Sequence, residues 1–228
     1  DGVWESTLPY YRIAAANGDY KANVRLQYLL ESGKLDSPDA IQEAIDLNKL
    51  LERQLPATAY YKTYTGINDG HLETEQDGQF AFLRKAAELG SAEAQFELSN
   101  VIMQIEDEPT HAARLDFYNE LQKCSSENGY AEASEFYGIG LQINKNYKLA
   151  LLAFQLGILQ GSSGSANRLE AAFKFKKLGA EFLGEMYNLD LDLDLERSKR
   201  YAIIQDYLST NDYLNPKVPD LDQIVPLP

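Results

Sequence analysis

Few residues of this 228-residue chain have the types and spacing that catalysis requires. The two histidines, His71 and His111, fall in a predicted loop and in an early helical turn, and no serine or cysteine motif accompanies either of them. The glycine- and serine-rich stretch 161–165 follows a predicted helix and lacks the lysine of a phosphate-binding loop, which is typical of a turn between helices. The sequence therefore predicts a protein without catalytic residues.

Acidic residues are the other candidates for chemistry. Glu93 and Glu97 share a helix face, but on an acidic helical protein such a pair is more typical of a solvated or protein-binding surface than of a general acid and base. Asp190, Asp192 and Asp194 alternate with leucines, without the glycine and the closing glutamate of an EF-hand loop. We expect Asp194 to cap a helix instead. No metal site and no cofactor are predicted.

The single cysteine, Cys124, excludes an internal disulfide and a cysteine-based zinc site. It falls in step with Phe117 and Leu121 on one helix face, so we predict a buried thiol.

Net charge limits the partners that the chain can bind. A formal charge of −14 argues against nucleic acid and against an anionic membrane surface. It suits a cationic protein partner, although solubility alone explains it equally well. No stretch approaches the roughly 20 apolar residues of a membrane span. The sequence starts at Asp1 rather than at a methionine, which indicates either a removed signal peptide or an engineered terminus. A removed signal peptide predicts a periplasmic location, and a cytoplasmic location is the alternative.

Residues 82–102 carry the clearest secondary-structure signal, and the helices they predict would position any functional residue. Two amphipathic helices are predicted, with Gly90 ending the first in the left-handed conformation and Ser91 capping the second. The predicted buried faces are Phe82, Ala86 and Leu89 before the turn, and Ala94, Leu98 and Ile102 after it.

The same pattern recurs around Gly18, Gly129 and Gly161. Gly129 lies 39 residues after Gly90, and Gly161 lies 32 residues after Gly129. Gly18 lies 72 residues before Gly90, which is two periods of 36. A degenerate unit is predicted near residue 54, where Pro56 can open a helix. A period of this size built of paired helices predicts an all-α fold, a right-handed α-solenoid of stacked antiparallel helix pairs. We expect about five pairs over 1–208, some of them degenerate.

The C-terminal end predicts a different local structure. The tail, 209–228, is proline-rich, so it is neither helix nor central strand, and we expect Leu221, Ile224, Val225 and Leu227 to pack on the last helices. Those last helices are predicted over 178–187 and 195–208. Two further local predictions are a helix start with a capping serine at 37–39 and a loop over 66–78.

Two segments carry a resemblance to a known family. FLRKAAELGSAEAQFEL, 82–98, and AEASEFYGIGLQINKNYKLALLAF, 131–154, resemble the Sel-one-like repeats (SLR), relatives of the tetratricopeptide repeats, with Tyr137, Gly138, Gly140 and Ala150 in register. The resemblance covers most of 9–208, while 55–79 and 162–190 fit poorly. The ending DLDQIVPLP is similar to that of an uncharacterised domain that follows such repeats in Gram-negative bacterial proteins, which are often encoded beside type VI secretion toxins.

Stacked helix pairs commonly hold a partner on the concave wall that the first helix of each pair lines. The third, seventh and tenth residues after each turn glycine, or after the inferred turn at position 54, should border that wall. The predicted partner-binding residues are Tyr61, Tyr64, Glu93, Glu97, Asn100, Glu132 and Phe136. Aromatic and acidic side chains together suit a protein surface rich in lysine or arginine. The alternative is that the three aromatic residues belong to the core between repeats.

The resemblance implies an immunity protein that binds and neutralises a secreted bacterial toxin in the periplasm, by occluding the toxin's active site or its membrane-docking surface. It further implies a type VI lipase or phospholipase effector as the target. The alternative hypothesis is a non-catalytic scaffold that assembles envelope or signalling complexes. An enzyme with a site in the C-terminal segment is the third.

Overall fold

The computed structural model describes residues 3–174 and 186–228, and the side chains from residue 7 onwards. Within these ranges every regular element is helical. The predicted helix over 178–187 lies outside the described residues except for its last two positions. The described α-helices are α1 (Val3–Ala16), α2 (Tyr20–Glu31), α3 (Ala40–Glu52), α4 (Pro56–Asn68), α5 (Gln79–Glu88), α6 (Ala92–Met103), α7 (His111–Glu127), α8 (Ala131–Ile143), α9 (Tyr147–Gln160), α10 (Ser163–Lys174), α11 (Leu195–Thr210) and α12 (Leu221–Ile224).

The chain divides into two units, Asp1–Ala94 and Gln95–Pro228. In the first unit, α1 to α4 each pack against the next helix along the chain. In the second unit, α7 to α10 each pack against the next described helix, and α8 also contacts α10. Each unit is therefore built of consecutive helix hairpins, as the period of the sequence predicts.

Left-handed glycines end the helices at the four predicted turns. The φ angles of Gly18, Gly90, Gly129 and Gly161 are 90°, 91°, 102° and 108°. At Gly90 the N–H donates to the carbonyl three residues back, and the next N–H donates to the carbonyl five residues back, both at 3.0 Å. The other three turns repeat this pattern of hydrogen bonds, which satisfies the last carbonyls of a helix. Ser91 caps the following helix, since its Oγ accepts from the N–H of Ala94 at 3.2 Å.

Three local predictions around α3 and α4 need comment. Helix α4 opens at Pro56 as predicted. It continues to Asn68, so the predicted loop starts too early; Gly66 stays helical and its carbonyl accepts from His71 at 2.8 Å. Helix α3 is capped by Asp39, whose Oδ1 accepts from the N–H of Gln42 at 3.1 Å, rather than by a serine. Aspartate is as good a cap as serine, and it stands directly before the helix.

Two predicted buried positions are wrong. Leu89 is 43% exposed because it lies at the C-terminal cap of α5, whose buried face includes Leu83. Cys124 is exposed. The buried stripe of α7 is largely polar and includes Gln122 and Ser125, so an apolar spacing does not trace it, and Cys124 lies outside it.

A buried polar network joins α7, α8 and α9, and nothing in the sequence pattern predicts it. The hydroxyls of Ser126 and Ser134 lie 2.7 Å apart, and Ser134 donates to Oε1 of Gln160 at 2.6 Å. The amide of Gln160 donates in turn to the carbonyl of Ser126 at 2.8 Å. Since each group is satisfied, the network fixes how the three helices meet.

The C-terminal core is shared by α9, α10, α11 and the tail. The rings of Phe173 and Tyr201 stack at 5.9 Å, and Leu221 and Val225 of the tail are buried in the same cluster. Ile224 and Leu227 are exposed instead. Arginine side chains of α11 hold the tail by its carbonyls: Arg200 donates to Ile224 at 3.0 Å, and Arg197 donates to Pro226. Asp194 caps α11 as predicted, accepting from the N–H of Arg197 at 2.9 Å. The boundary between 1–208 and 209–228 stays a prediction.

Candidate functional site

The seven predicted partner-binding residues lie on three helices, α4, α6 and α8. Because the chain divides within α6, the residues of each unit are described separately.

In the first unit, two tyrosines of α4 stack on each other. The rings of Tyr61 and Tyr64 lie 6.0 Å apart with an angle of 26° between their planes. Tyr64 is only 4% exposed, so its ring belongs to the core, while Tyr61 is half-buried. Of the pair, only Tyr61 presents a usable surface to a partner.

Glu93 lies in the first turn of α6 and is exposed. Its Oε2 accepts a hydrogen bond from the Oγ of Ser91 at 3.2 Å. A carboxylate is favourable in this position because the N-terminus of a helix carries a partial positive charge. The carboxylate of Glu93 therefore already stabilises the start of α6 within the fold. Glu97 and Asn100, farther along α6 in the second unit, are half-buried.

In the second unit, three aromatic rings and a carboxylate form an aromatic–acidic patch made of Phe96, Tyr130, Glu132 and Phe136. Phe96 is 8% exposed and supports the other two rings, with Tyr130 at 5.1 Å and Phe136 at 5.6 Å in an edge-to-face arrangement. Phe136 is 40% exposed. The hydroxyl of Tyr130 donates to Oε2 of Glu132 at 3.2 Å. An exposed ring beside a held carboxylate is a suitable surface for a guanidinium or ammonium group.

The sequence predicts two members of this patch, Glu132 and Phe136, and misses the supporting rings of Phe96 and Tyr130. A signal for Tyr130 is present in the repeat. At the equivalent position after the other turn glycines stand an aspartate or serines that cap the next helix, whereas Tyr130 makes no such cap. A large ring at a capping position indicates a packing role.

A second carboxylate lies one turn from the patch. Glu135 accepts from the Oγ of Ser162 at 3.2 Å and occupies the space that a side chain on Gly164 would fill, at the start of α10. Burial raises the pKa of Glu135, and the charge of Glu132 adds to that effect, while Ser162 and the charge of Arg168 lower it. A cation bound at Glu132 would relieve this repulsion.

The described residues contain no group of three or more histidine, cysteine, aspartate or glutamate side chains that could hold a metal ion. Nor do the described ranges contain a helix that is long and apolar enough to span a membrane. What the arrangement can do, on these observations, is bind a cationic or aromatic group at the aromatic–acidic patch.

Comparison with known proteins gives a partial family match. Residues 165–228 match the model of a protein family described as "Domain of unknown function (DUF6396)". This is the segment that contains α10, α11 and the tail. No functionally curated protein matches the sequence.

Solved structures match nearly the whole chain. Immunity protein PA5088 from Pseudomonas aeruginosa is 23% identical, with a TM-score of 0.72 over 99% of this chain and 81% of that one. Immunity protein Pa5087 from the same organism is also 23% identical, with a TM-score of 0.67 and the same coverage. A Sel1 repeat protein from Oxalobacter formigenes is 15% identical, with a TM-score of 0.64 over 89% of this chain and 78% of that one. These likenesses confirm the predicted all-α, SLR-type α-solenoid fold.

Proposed function

We propose that this chain is an immunity protein that binds and neutralises a secreted bacterial toxin. The observation that carries the proposal is the likeness, over 99% of the chain, to two Pseudomonas aeruginosa structures named as immunity proteins. The fold supports it, because helix-pair repeats offer extended surfaces for holding another protein.

The mechanism that we propose is occlusion of the toxin's active site or of its membrane-docking surface. Phe136 has the properties of an interface anchor, an exposed ring supported from behind by Phe96. Glu132 beside it, within a chain of net charge −14, would attract and orient a basic surface. The chain contributes no chemistry in this mechanism, only a complementary surface.

The finer parts of the proposal come from the C-terminal end. Its similarity to domains that follow SLR repeats in Gram-negative proteins favours a type VI secretion effector of the lipase or phospholipase class as the toxin. Such a toxin would be met in the periplasm, which we propose as the location.

The direct test is co-purification of the chain with the toxin encoded beside its gene, followed by the toxin's activity assay. We expect a stable complex in which the toxin is inactive. Tight binding without inhibition would favour the scaffold hypothesis, and absence of binding would contradict the proposal.

Matched variants test the surface. Phe136→Ala should weaken binding by roughly 30-fold or more, the size of an interface anchor. The control is Phe117→Ala, which removes another exposed phenylalanine of the second unit, 46% exposed against 40%. Equal losses in the two variants would move the site away from the patch.

Charge reversal at both Glu93 and Glu97 should weaken binding without unfolding the chain, while Glu73→Lys, an exposed loop change, should leave binding unchanged. If the double charge reversal keeps full affinity, α6 does not face the toxin.

A further inference from the structure

A cavity in the first unit is lined by none of the seven predicted partner-binding residues. It has a volume of about 370 Å³ and lies between α2, α3 and α4, with residues 71–72 at one side. Its walls are largely apolar, with Leu30 and Ala44 buried, Ile45 and Leu72 half-buried, and Ile41 at 48% exposure. Its volume is close to the lower limit of about 300–1,000 Å³ for pockets that take drug-sized ligands.

The side of the cavity that is not helical is held in place. The N–H groups of His71 and Leu72 both donate to the carbonyl of Gly66, at 2.8 and 3.0 Å. The side chain of Leu72 covers Gly66, where an added Cβ would lie 3.1 Å from Cδ1 of that leucine. The wall therefore exists before any ligand arrives, which lowers the entropic cost of binding.

The charged groups of the cavity already have partners. Lys62 pairs with Glu31 at 3.2 Å, and Lys49 pairs with Asp46 at 3.0 Å. Glu52, the remaining charged group of the lining, interacts with the hydroxyl of Tyr60 and raises the pKa of that tyrosine. The two lysines and two glutamates that line the cavity balance each other, within a chain whose net charge is −14.

Polar groups of the lining are also engaged within the fold, except that Oδ1 of Asn48 is buried and has no hydrogen-bond partner in the described part of the chain. The amide of Gln27 donates to Asn23 at 2.7 Å, and the amide of Asn48 donates to the carbonyl of Ala59 at 3.0 Å. A charged occupant would lose its hydration and find no free opposite charge, which is costly. A neutral, apolar occupant gains free energy from burial and loses little.

We propose that this cavity receives one large apolar side chain, aromatic or aliphatic, from the protein partner. The electrically balanced lining and the exposed Ile41 at the rim, which extends the apolar surface beyond the cavity, both fit that occupant. Tyr61, the accessible tyrosine of the predicted surface, lies on the same helix as Lys62 and Thr63 of the lining. The inference rests on the proposed function for the existence of a partner protein.

The first experiment uses fragments as probes and needs no toxin. The full chain, with ¹³C-labelled isoleucine and leucine methyls, is titrated with N-acetyl-tryptophanamide and N-acetyl-leucinamide, and with N-acetyl-lysinamide as the charged comparison. We expect saturable shifts of the Ile45 and Leu72 methyls with the two apolar probes. Ile41→Asp should weaken this binding at least about tenfold, whereas Ile13→Asp, at an exposed site of α1, should leave it unchanged.

Three results of this titration would overturn the proposal, and a fourth comes from a separate measurement. They are the absence of saturable shifts, equal binding by Ile41→Asp and the wild type, and binding of the lysine probe as tight as that of the apolar ones. A fourth is an apolar small molecule found in stoichiometric amount by mass spectrometry of the denatured, purified protein, since the occupant would then be a metabolite.

The second experiment separates this inference from the immunity proposal. Ile41→Asp and Ile13→Asp are compared in the toxin co-purification and activity assays. We expect at least about tenfold weaker binding for Ile41→Asp alone. If both variants bind and neutralise the toxin like the wild type, the cavity is not part of the interface, yet the immunity proposal stands. If the wild-type chain binds no toxin, the immunity proposal fails, and with it the assignment of the occupant, whatever the fragments show.

Discussion

Gly138 of α8 lies directly against the ring of Phe154 on α9, and replacing this glycine with alanine tests that packing. A Cβ at this position would lie 2.6 Å from Cε1 and 2.8 Å from Cδ1 of Phe154. The ring of Phe154 is fully buried and packed on several sides, so it cannot simply turn away. Ordinary carbon contacts need about 3.5–4.0 Å, so the ring or the helix must shift by about 1 Å.

Two opposing terms decide the magnitude for Gly138→Ala. Alanine in place of glycine within a helix stabilises by about 1 kcal/mol. Overpacking of a filled core costs about 1–3 kcal/mol. We therefore expect a net change between nearly zero and a destabilisation of about 2 kcal/mol.

Gly140 on the same helix is the matched control. The nearest atom to a Cβ there is Oδ1 of Asn119 at 3.6 Å, an ordinary contact. Gly140→Ala should therefore gain the helix term alone and stabilise by up to about 1 kcal/mol. Urea unfolding followed by far-UV circular dichroism measures both variants, and thermal midpoints should differ by about 2–4 °C per kcal/mol. Equal stability of the two variants would show that Phe154 does not lie against α8 as described.

Three further perturbations follow from the same structure. Ala94→Leu should destabilise by roughly 1–3 kcal/mol, because Ala94 is fully buried; an unchanged melting temperature would mean that the helix register is wrong. Arg12→Gln should cost at most about 1 kcal/mol at pH 7, because the Arg12–Glu43 pair is partly exposed. The hydrogen bond from Arg12 holds the pKa of Glu43 below its ordinary value of 4.5. The pair's contribution to the free energy of unfolding is therefore present above pH 4.5 and is lost as the pH falls through the lowered pKa. An equally large destabilisation by Arg12→Gln at pH 3 would contradict that. Glu135→Gln should stabilise the fold at pH 7 and have little effect at pH 4. Burial raises the pKa of Glu135, so the folded state gains stability when that carboxyl is protonated. A variant less stable than the wild type at pH 7 would show that the charge is favourable at the start of α10.

The turns of the fold were predictable because their cause is local. A left-handed backbone position strongly favours glycine, so Gly18, Gly90, Gly129 and Gly161 identify helix ends directly, and all four have the expected conformation. Pro56 and Asp194 are likewise signals whose effect depends on a few neighbouring residues.

The buried faces were less predictable because they depend on what lies opposite. Cys124 shares an apolar spacing with its helix, yet α7 buries Gln122, whose amide donates to the Oγ of Ser99 on α6 at 2.7 Å. For the site, the turn offsets identified the exposed Phe136 but also the buried Tyr64, since spacing from a turn does not separate the rim of a surface from the core beneath it.

Packing of the tail against α9 limits how such proteins can recombine. The family match begins at residue 165, but Val218 and Leu221 share their cluster with Phe154 and Ile158, which precede that point. A chimaera joined at residue 165 would confront one relative's α9 with another relative's tail, and a mismatch there would leave a void or a clash. A crossover before Tyr147 would keep α9 with the tail that it covers, but it would move the mismatch to the contact between α8 and α9, where Gly138 lies against the ring of Phe154.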